Sequence, residues 1–315
     1  MAAPATVMIT GGAGNLGQKL ALHLSSRDWC RRVLLIDRVA ANCPAKAEAI
    51  VTDLGDPHAK AWQDAVASAD AIVHFAAANP YPDCTWAEGV RSFDMTANLL
   101  ARAADRPRRF VFASSNHVMG GYKEDELGPG ELTTELPPRP GTRFYLAGGY
   151  RAHAPYATSK LMGERALLAT AAGSGGRLTG VALRIGWCQP GENHPRTISG
   201  DGLPDAEHGT GYDGRDRDMR WFRSMWLSNR DFIQAFERAL TADAGGAVSL
   251  TNTGNTIQSL AASSAGAGLQ LYDSNGLGIT GDVSTAAGDL TVRAAGDITL
   301  QGDAALAADT GNGVV

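Results

Sequence analysis

The stretch VMITGGAGNLG, residues 7–17, decides the fold of this chain. It joins a short apolar run, ATVMIT, to the segment NLGQKLALHLSSR, whose leucines stand at helical spacing. A glycine-rich turn between a strand and a helix brings the positive N-terminal end of the helix against a bound anion. We therefore interpret residues 10–17 as a loop that binds phosphate and not merely as a flexible turn.

The residues of this loop have separate tasks. Gly11 allows the tight turn, Gly14 lets the backbone approach the phosphates, and Gly17 lets the helix pack closely on the sheet. Asn15 and Leu16 lie between them and belong to the same predicted binding loop. Together these positions predict a site for the diphosphate of a dinucleotide.

Asp37 ends the second predicted strand, RRVLLID, 20 residues after Gly17. A carboxylate at this place accepts hydrogen bonds from ribose hydroxyls and repels a 2′-phosphate, which favours NAD over NADP. Arg38 works against that preference, because an arginine beside the acid accepts a 2′-phosphate. The sequence favours NAD and leaves NADP open.

Apolar runs alternate with helical patterns as far as residue 242. Further strands are predicted at DAIVHFAA, RRFVFASS and LTGVALRIG, and helices at AWQDAVASA, SFDMTANLLARAA, YATSKLMGERALLATAA and NRDFIQAFERALTA. Strands that are continuous apolar runs, separated by helices, indicate a parallel sheet covered on both faces. The fold class predicted is α/β, a doubly wound parallel sheet of Rossmann type, with its ligand at the carboxyl ends of the strands.

The composition changes near residue 244. After Ala242 the chain has no Lys, Glu, His, Trp, Cys, Met or Phe, and short runs of Leu, Ile, Val and Thr alternate with Gly, Asn and Asp. This pattern is typical of a parallel β-helix, and GDLTVRAAGDITLQGDAAL resembles the repeats of filamentous-haemagglutinin-type adhesins. The alternative is a disordered tail. We predict domains at 1–243 and 244–315, and a fused or frame-shifted reading frame would explain this pairing.

Bulk properties exclude several classes of function. With 28 basic and 33 acidic residues the net charge is −5, so no nucleic-acid partner is expected. No apolar run reaches the roughly 18 residues of a membrane span. Four widely spaced cysteines predict reduced thiols, and no His/Cys cluster has the spacing of a metal site. The start of the chain has no signal-peptide pattern, so we expect a cytoplasmic protein.

A catalytic group is predicted from three residues. Ser115 lies at the carboxyl end of the strand FVFASS, and Tyr156 and Lys160, four apart in YATSK, share one face of a helix. A tyrosine with a pKa near 10 is a poor base, and a neighbouring ammonium group lowers that pKa. Tyr156 is then the base, Lys160 its activator and a contact to the nicotinamide ribose, and Ser115 the group that orients the substrate hydroxyl.

These motifs carry a family resemblance over residues 5–242. TGxxGxxG, TDLGD (52–56), HFAA (74–77), the serine strand and Tyr-x-x-x-Lys together resemble the extended short-chain dehydrogenase/reductase family, the NAD-dependent epimerases and dehydratases. The resemblance implies that Asp53 and Leu54 flank the adenine and that Ala76 and Ala77 line the cofactor. It also implies a homodimer formed through the Tyr-x-x-x-Lys helix.

Within that family the chain is most similar to the uronate dehydrogenases, through FASSNH, YATSK, LRIG and WLSNRDF. Residues that the resemblance places around the sugar are Asn79, Ser115, Asn116, His117, Tyr156 and Arg196. Arg220 and Arg223 rival Arg196 as the partner of a substrate carboxylate, since a sugar acid calls for one bidentate cation.

The expected function is NAD-dependent oxidation of a hexuronic acid or related sugar acid at C1, giving an aldarolactone. A sugar-nucleotide epimerase or dehydratase is the first alternative. The second is an inactive NAD-binding chain, truncated by fusion to the adhesin-like segment, because the resemblance stops near Ala242. A sugar-acid dehydrogenase produces net NADH, whereas an epimerase, a dehydratase or an inactive chain does not.

Overall fold

The computed structural model describes most of the chain up to Thr241 and a set of short segments beyond it. The described ranges are 3–79, 84–106, 108–124, 136–144, 149–152, 154–188, 191, 227–241, 248–250, 259–260, 263–265, 269–273, 277–279, 283–285, 290–294, 297–300 and 305–308. The residues divide into two compact units, Pro4–Leu240 and a second that holds Thr241–Val315.

The first unit is built on a six-stranded parallel sheet. Its strands are β1 (Thr6–Thr10), β2 (Arg32–Asp37), β3 (Ala47–Val51), β4 (Ala71–His74), β5 (Arg108–Ser115) and β8 (Leu178–Ile185), and β6 (Gly141–Phe144) and β7 (Gly149–Ala152) form an antiparallel pair outside it. The order across the sheet is β3-β2-β1-β4-β5-β8. The order reverses direction between β1 and β4, which is where such sheets bind ligands.

Helices cover both faces of this sheet, as the sequence predicts. They are α1 (Asn15–Ser25), α2 (Lys60–Ser68), α3 (Trp86–Ala103), α4 (Pro155–Gly173) and α5 (Asn229–Thr241), and a 3₁₀ helix (Asn116–Glu124) follows β5. Alternate residues of each strand pack into two hydrophobic cores, one on each face of the sheet. Ile9 packs with Leu20 of α1 and Phe236 of α5, whereas Met8 packs with Trp62 and Leu99 on the opposite face. The doubly wound α/β fold is confirmed.

Strand β3 and helix α3 differ from the sequence prediction in instructive ways. The strand β3 was not expected, because its residues are half-buried or exposed and it lacks the continuous apolar run of the inner strands. Helix α3 begins at Trp86, six residues earlier than predicted. Thr85 and Glu88 form a capping box there, with each side chain bonded to the backbone of the other residue.

Arginine side chains close three helices at the amino edge of the sheet. Arg108 donates to the carbonyl oxygen of Val66 in α2, and Arg109 donates to that of Leu240 in α5. Arg177 donates to the carbonyl of Ala104 at the end of α3. These guanidinium groups bind carbonyls at the C-terminal ends of the helices and complement the negative end of each helix dipole.

The described residues of the second unit are strands in parallel register. They are β9 (Val248–Leu250), β10 (Ser259–Leu260), β11 (Ser263–Ala265), β12 (Leu269–Asp273), β13 (Leu277–Ile279), β14 (Val283–Thr285), β15 (Leu290–Ala294), β16 (Ile298–Leu300) and β17 (Leu306–Ala308). They pair as β15-β12-β9, β10-β13-β16 and β11-β14-β17. The domain boundary at 243/244 and the adhesin-like or disordered character of the tail stay predictions.

Among the described residues, no helix combines the length and the apolar surface that a bilayer crossing requires. All four cysteines, Cys30, Cys43, Cys84 and Cys188, are free thiols. Within the same described part of the chain, no three acidic, histidine or cysteine side chains converge in a way that would hold a metal ion.

Candidate active site

A pocket of about 380 Å³ opens at the carboxyl ends of β1 and β4. Nine of the residues predicted to bind a dinucleotide line it, namely Gly11, Gly14, Asn15, Leu16, Gly17, Asp37, Leu54, Ala76 and Ala77. Two others lie elsewhere: Asp53 lines a neighbouring depression, and Lys160 lies against β5. The structure therefore brings together most of the predicted set.

The glycine loop is held in a shape that side chains would not permit. Gly11 has φ +69°, and a Cβ there would lie 3.0 Å from the amide nitrogen of Ala76. At Gly17 a Cβ would lie 2.3 Å from the carbonyl oxygen of Gly11. The close approach at Gly17 is thus between the helix and its own loop, and not between the helix and the sheet as the sequence argument holds.

Gly12 is the loop residue that lies close to the sheet. A Cβ on Gly12 would lie 2.8 Å from Cβ of Leu35 in β2, a constraint that the sequence reading missed. Gly14 has more room, since its Cβ would meet only the Gly11 carbonyl, at 3.3 Å. Because Gly14 lines the pocket without being needed for packing, its missing side chain leaves the pocket wall open to a ligand.

The N-terminus of α1 faces this pocket in the way that an anion site requires. Gly14 is the N-cap residue, no side chain caps the helix, and no acidic residue stands in its first turn. The first backbone N–H groups of a helix carry its positive partial charge. The loop and the helix end therefore fit the diphosphate of a dinucleotide.

Asp37 is fixed at the edge of the same pocket by two backbone N–H groups. Its Oδ2 accepts a hydrogen bond from Ala13 of the glycine loop at 3.0 Å, and its Oδ1 accepts one from Arg38 at 2.7 Å. The carboxylate thus links the end of β2 to the phosphate-binding loop. Arg38 is exposed and lines the pocket beside it.

A buried polar chain supports the pocket wall after β4. Within this chain the Ala76 N–H donates to the hydroxyl of Thr10, which bonds Nδ1 of His74 at 2.6 Å, and Nε2 of His74 bonds the hydroxyl of Thr96 at 2.9 Å. The Thr96 hydroxyl donates in turn to the carbonyl of Ser92, which leaves His74 neutral with its proton on Nε2. Burial lowers the pKa of His74 to about 3. The sequence reading had assigned HFAA only by resemblance.

Ser115, Tyr156 and Lys160 come together on the β5 side of the site. The hydroxyl of Ser115 hydrogen-bonds that of Tyr156, and the Lys160 ammonium lies 5.7 Å from the centre of the Tyr156 ring. The ammonium donates to the carbonyl oxygen of Ala113 at 2.7 Å. The predicted face shared by the tyrosine and the lysine is therefore present.

The electrostatics differ from the sequence argument. Desolvation raises the pKa of Tyr156 to about 12, while the hydrogen bond from Ser115 works in the opposite direction. Desolvation lowers the pKa of Lys160 to about 8. Burial of the pair outweighs the attraction between ammonium and phenolate on which the sequence argument relied.

The Ser-Asn-His segment surrounds this pair. The N–H of His117 donates to Oγ of Ser115 at 3.2 Å, and the His117 ring stands edge-on to that of Tyr156 with centres 6.0 Å apart. The Ser115 hydroxyl also lies 3.5 Å from Oδ1 of Asn116. Asn79 follows β4 and donates to a carboxylate oxygen of Glu88 at 3.3 Å.

The predicted carboxylate partner Arg196 and its rivals Arg220 and Arg223 lie outside the described residues. The described residues include a glycine loop at a helix N-terminus, the Asp37 carboxylate and a Ser/Tyr/Lys group, and these share the carboxyl edge of one parallel sheet.

This combination defines a dinucleotide-dependent oxidoreductase of Rossmann type. The chain belongs to the NAD dependent epimerase/dehydratase family, whose match covers residues 7–186, and its cofactor is NAD.

Known sugar dehydrogenases are similar to most of the chain. The NAD-dependent glucose-6-phosphate dehydrogenase of Haloferax volcanii is 28% identical, over 75% of this chain and 80% of its own. The L-arabinose 1-dehydrogenase (NAD(P)(+)) of the same organism is 30% identical, over 76% and 83%. The crystal structure of glucuronic acid dehydrogenase from Chromohalobacter salexigens is 26% identical, with a TM-score of 0.54, and the match covers 76% of this chain and 73% of that one.

Proposed function

We propose that this protein oxidises a hexuronic acid or a related sugar acid at C1 and forms an aldarolactone. The observation that carries the proposal is the hydrogen-bonded pair Ser115–Tyr156 with His117 standing edge-on beside it. This segment, Ser-Asn-His, is the part of the site that the resemblance to uronate dehydrogenases assigns to the sugar. Similarity to glucuronic acid dehydrogenase supports the same substrate class.

Tyr156, assisted by Ser115, accepts the proton of the anomeric hydroxyl. The Ser115 hydroxyl hydrogen-bonds the Tyr156 oxygen and stabilises the phenolate form, which can then accept that proton. The glycine loop would hold NAD, which would supply the acceptor for the hydride of C1. Loss of the proton and the hydride together turns the C1 hydroxyl into the lactone carbonyl.

Lys160 lies beside the ring of Tyr156. Its Nζ donates to the carbonyl oxygen of Ala113 and lies 4.9 Å from the ring centre of Phe112. The lowered pKa of Lys160 lets it share in moving the proton. We assign Ser115, Tyr156 and Lys160 the catalytic roles.

Short polar side chains bind the sugar hydroxyls. Asn116 and His117 follow Ser115 at the start of the 3₁₀ helix, and Asn79 follows β4. Such groups suit the hydroxyls of a sugar, and we assign the carboxylate to Arg196, with Arg220 and Arg223 as rivals.

The test measures NADH formation by the full-length chain. Galacturonate and glucuronate are compared with galactose, L-arabinose and glucose 6-phosphate, and Tyr156→Phe serves as the control variant. We expect NADH with the uronates, none with Tyr156→Phe, and unchanged NAD binding in that variant, because the phenol lies outside the glycine-loop pocket.

Two results would contradict the proposal. NADH formed from a neutral or phosphorylated sugar but from neither uronate would move the chain to another substrate class. Absence of NADH with every sugar, while calorimetry still records NAD binding, would favour the epimerase or inactive reading.

A further inference from the structure

Arg91 lies where two surface features meet. It is on α3 and lines both the dinucleotide pocket and the neighbouring depression that contains Asp53. Among the described residues lining the dinucleotide pocket, Arg38 and Arg91 are the cationic ones. Neither the sequence motifs nor the family resemblance had drawn attention to Arg91.

The carboxylate of Asp53 is already engaged. Its Oδ1 accepts a hydrogen bond from the Gly55 N–H at 2.8 Å, and its Oδ2 accepts one from Nη2 of Arg91 at 2.5 Å. Asp53 itself lines the depression and not the dinucleotide pocket. The resemblance gives Asp53 the contact to adenine, whereas the structure presents its partner Arg91 to that pocket.

The position of Arg91 in the pocket follows from the order of the strands. Asp37 ends β2 and is the ribose carboxylate, and the next strand outward is β3, which leads into Thr52 and Leu54. The base attached to that ribose therefore belongs on the β3 side. Arg91, Leu54 and Met95 line the pocket together, so a flat cation stands beside apolar side chains.

A planar guanidinium held from one side by a carboxylate is suited to an aromatic base. Guanidinium groups pack on aromatic faces through cation–π attraction, and a fixed orientation reduces the entropy lost on binding. We propose that Arg91, oriented by Asp53, is the specificity-determining contact for the adenine of the dinucleotide. The proposal rests on NAD binding and not on the identity of the sugar.

Calorimetry with three ligands tests it. AMP carries the adenine half of NAD, nicotinamide mononucleotide carries the other half, and NAD carries both. We expect Arg91→Ala to raise Kd for AMP and NAD by about 3- to 10-fold and to leave nicotinamide mononucleotide unchanged. Arg91→Lys should behave like Arg91→Ala for AMP, because lysine keeps the charge and loses the plane.

Arg32→Ala is the matched control. Arg32 forms an equally exposed ion pair with Glu48 at 2.6 Å, at the opposite end of β2 from Asp37. Side-chain exposure is 48% for Arg32 and 47% for Arg91, so both losses should be tolerated by the fold. Arg32→Ala should leave the Kd of all three ligands unchanged.

Three outcomes would overturn the proposal. The first is an AMP Kd within about twofold of wild type in Arg91→Ala. The second is an equal loss for nicotinamide mononucleotide, which would mean a general disturbance of the pocket. The third is a larger loss in Asp53→Asn than in Arg91→Ala, which would return the adenine contact to Asp53. All are measured without a sugar, so they stand whether or not uronates are oxidised.

Discussion

Glu164 and Arg184 form a bidentate ion pair, with Nε–Oε1 at 2.9 Å and Nη2–Oε2 at 2.8 Å. The Ser114 hydroxyl donates to the same carboxylate. These hydrogen bonds therefore join three elements, α4, β5 and β8. Glu164 lies one helical turn beyond Lys160, and its side chain is 6% exposed. The pair and the Ser114 hydroxyl together therefore fix the helix that carries Tyr156 against the strand that carries Ser115.

Replacing Glu164 by Gln should destabilise the protein and disturb the site. The change leaves Arg184 partly buried without its counter-charge, and we expect a loss of about 3 kcal/mol in the free energy of unfolding. Denaturant titration measures it. Glu48→Gln removes an exposed partner of Arg32 and should cost less than about 1 kcal/mol. Equal losses in the two variants would refute a special role for the buried pair.

Replacing Lys160 by Met should remove a pH dependence of stability. The folded pKa of about 8 lies below the ordinary value of 10.5, so folding disfavours the ammonium form. Between pH 8 and 10 wild type should therefore gain stability relative to Lys160→Met, by up to about 1.4 kcal/mol per pH unit. The difference between the two proteins is measured at each pH, so that Tyr156 and the cysteines cancel. A constant difference would contradict the buried-lysine interpretation.

Replacing His74 by Gln should change stability in acid. The folded pKa of about 3 lies below the ordinary 6.5, so the unfolded chain takes up a proton first as the pH falls. Wild type should lose up to about 1.4 kcal/mol per pH unit below pH 6.5 relative to His74→Gln. At neutral pH the variant should be the less stable one, by about 1–3 kcal/mol, since Thr10 and Thr96 lose their shared partner. Melting temperatures are measured for both proteins from pH 7 to 4. A difference between wild type and His74→Gln that stays constant over this range would contradict the account.

Alanine at three glycines should separate folding from binding. Gly17→Ala places a Cβ 2.3 Å from the Gly11 carbonyl and should destabilise the protein as well as abolish NAD binding. Gly14→Ala should leave the melting temperature close to wild type and weaken NAD binding, because its Cβ enters the pocket. Gly173→Ala, with nothing within 4 Å of its Cβ, is the control for both measurements. Normal NAD affinity in Gly14→Ala would show that the phosphates do not approach that backbone.

Replacing Asp37 by Asn should shift the choice between NAD and NADP. The amide retains an acceptor for the Ala13 N–H and loses the negative charge that repels a 2′-phosphate. We expect weaker NAD binding and tighter NADP binding, with Arg38 beside it available to the phosphate. Calorimetry with both dinucleotides measures the ratio. An unchanged ratio would mean that Asp37 does not select the cofactor.

The sequence predicted those parts of the fold whose residues are locally consistent. Every inner strand of the sheet is a continuous apolar run, and each was located from that run alone. The edge strand β3 was missed because one face of an edge strand meets solvent and its pattern resembles a loop. The start of α3 was missed although Thr85 and Glu88 carry a recognisable capping signal, since the predicted span followed only the apolar spacing.

The candidate site was predictable as a set of residue types and not as a set of contacts. Spacing alone put Tyr156 and Lys160 on one face, but the carbonyl of Ala113 that holds Lys160 comes from a strand 47 residues earlier. Glu164, His74 and Arg91 have no local signal, because their partners are brought to them by tertiary packing.

The bond from Arg109 to the Leu240 carbonyl has a consequence for biosynthesis. It joins the first residues of strand β5 to the end of helix α5, so this closing contact of the α/β unit requires the chain as far as Leu240. At least 75 residues follow Leu240, and their addition takes about 4–15 s at typical rates of elongation. The NAD-binding unit can thus begin to close around its own core while the glycine- and aspartate-rich segment is still being translated.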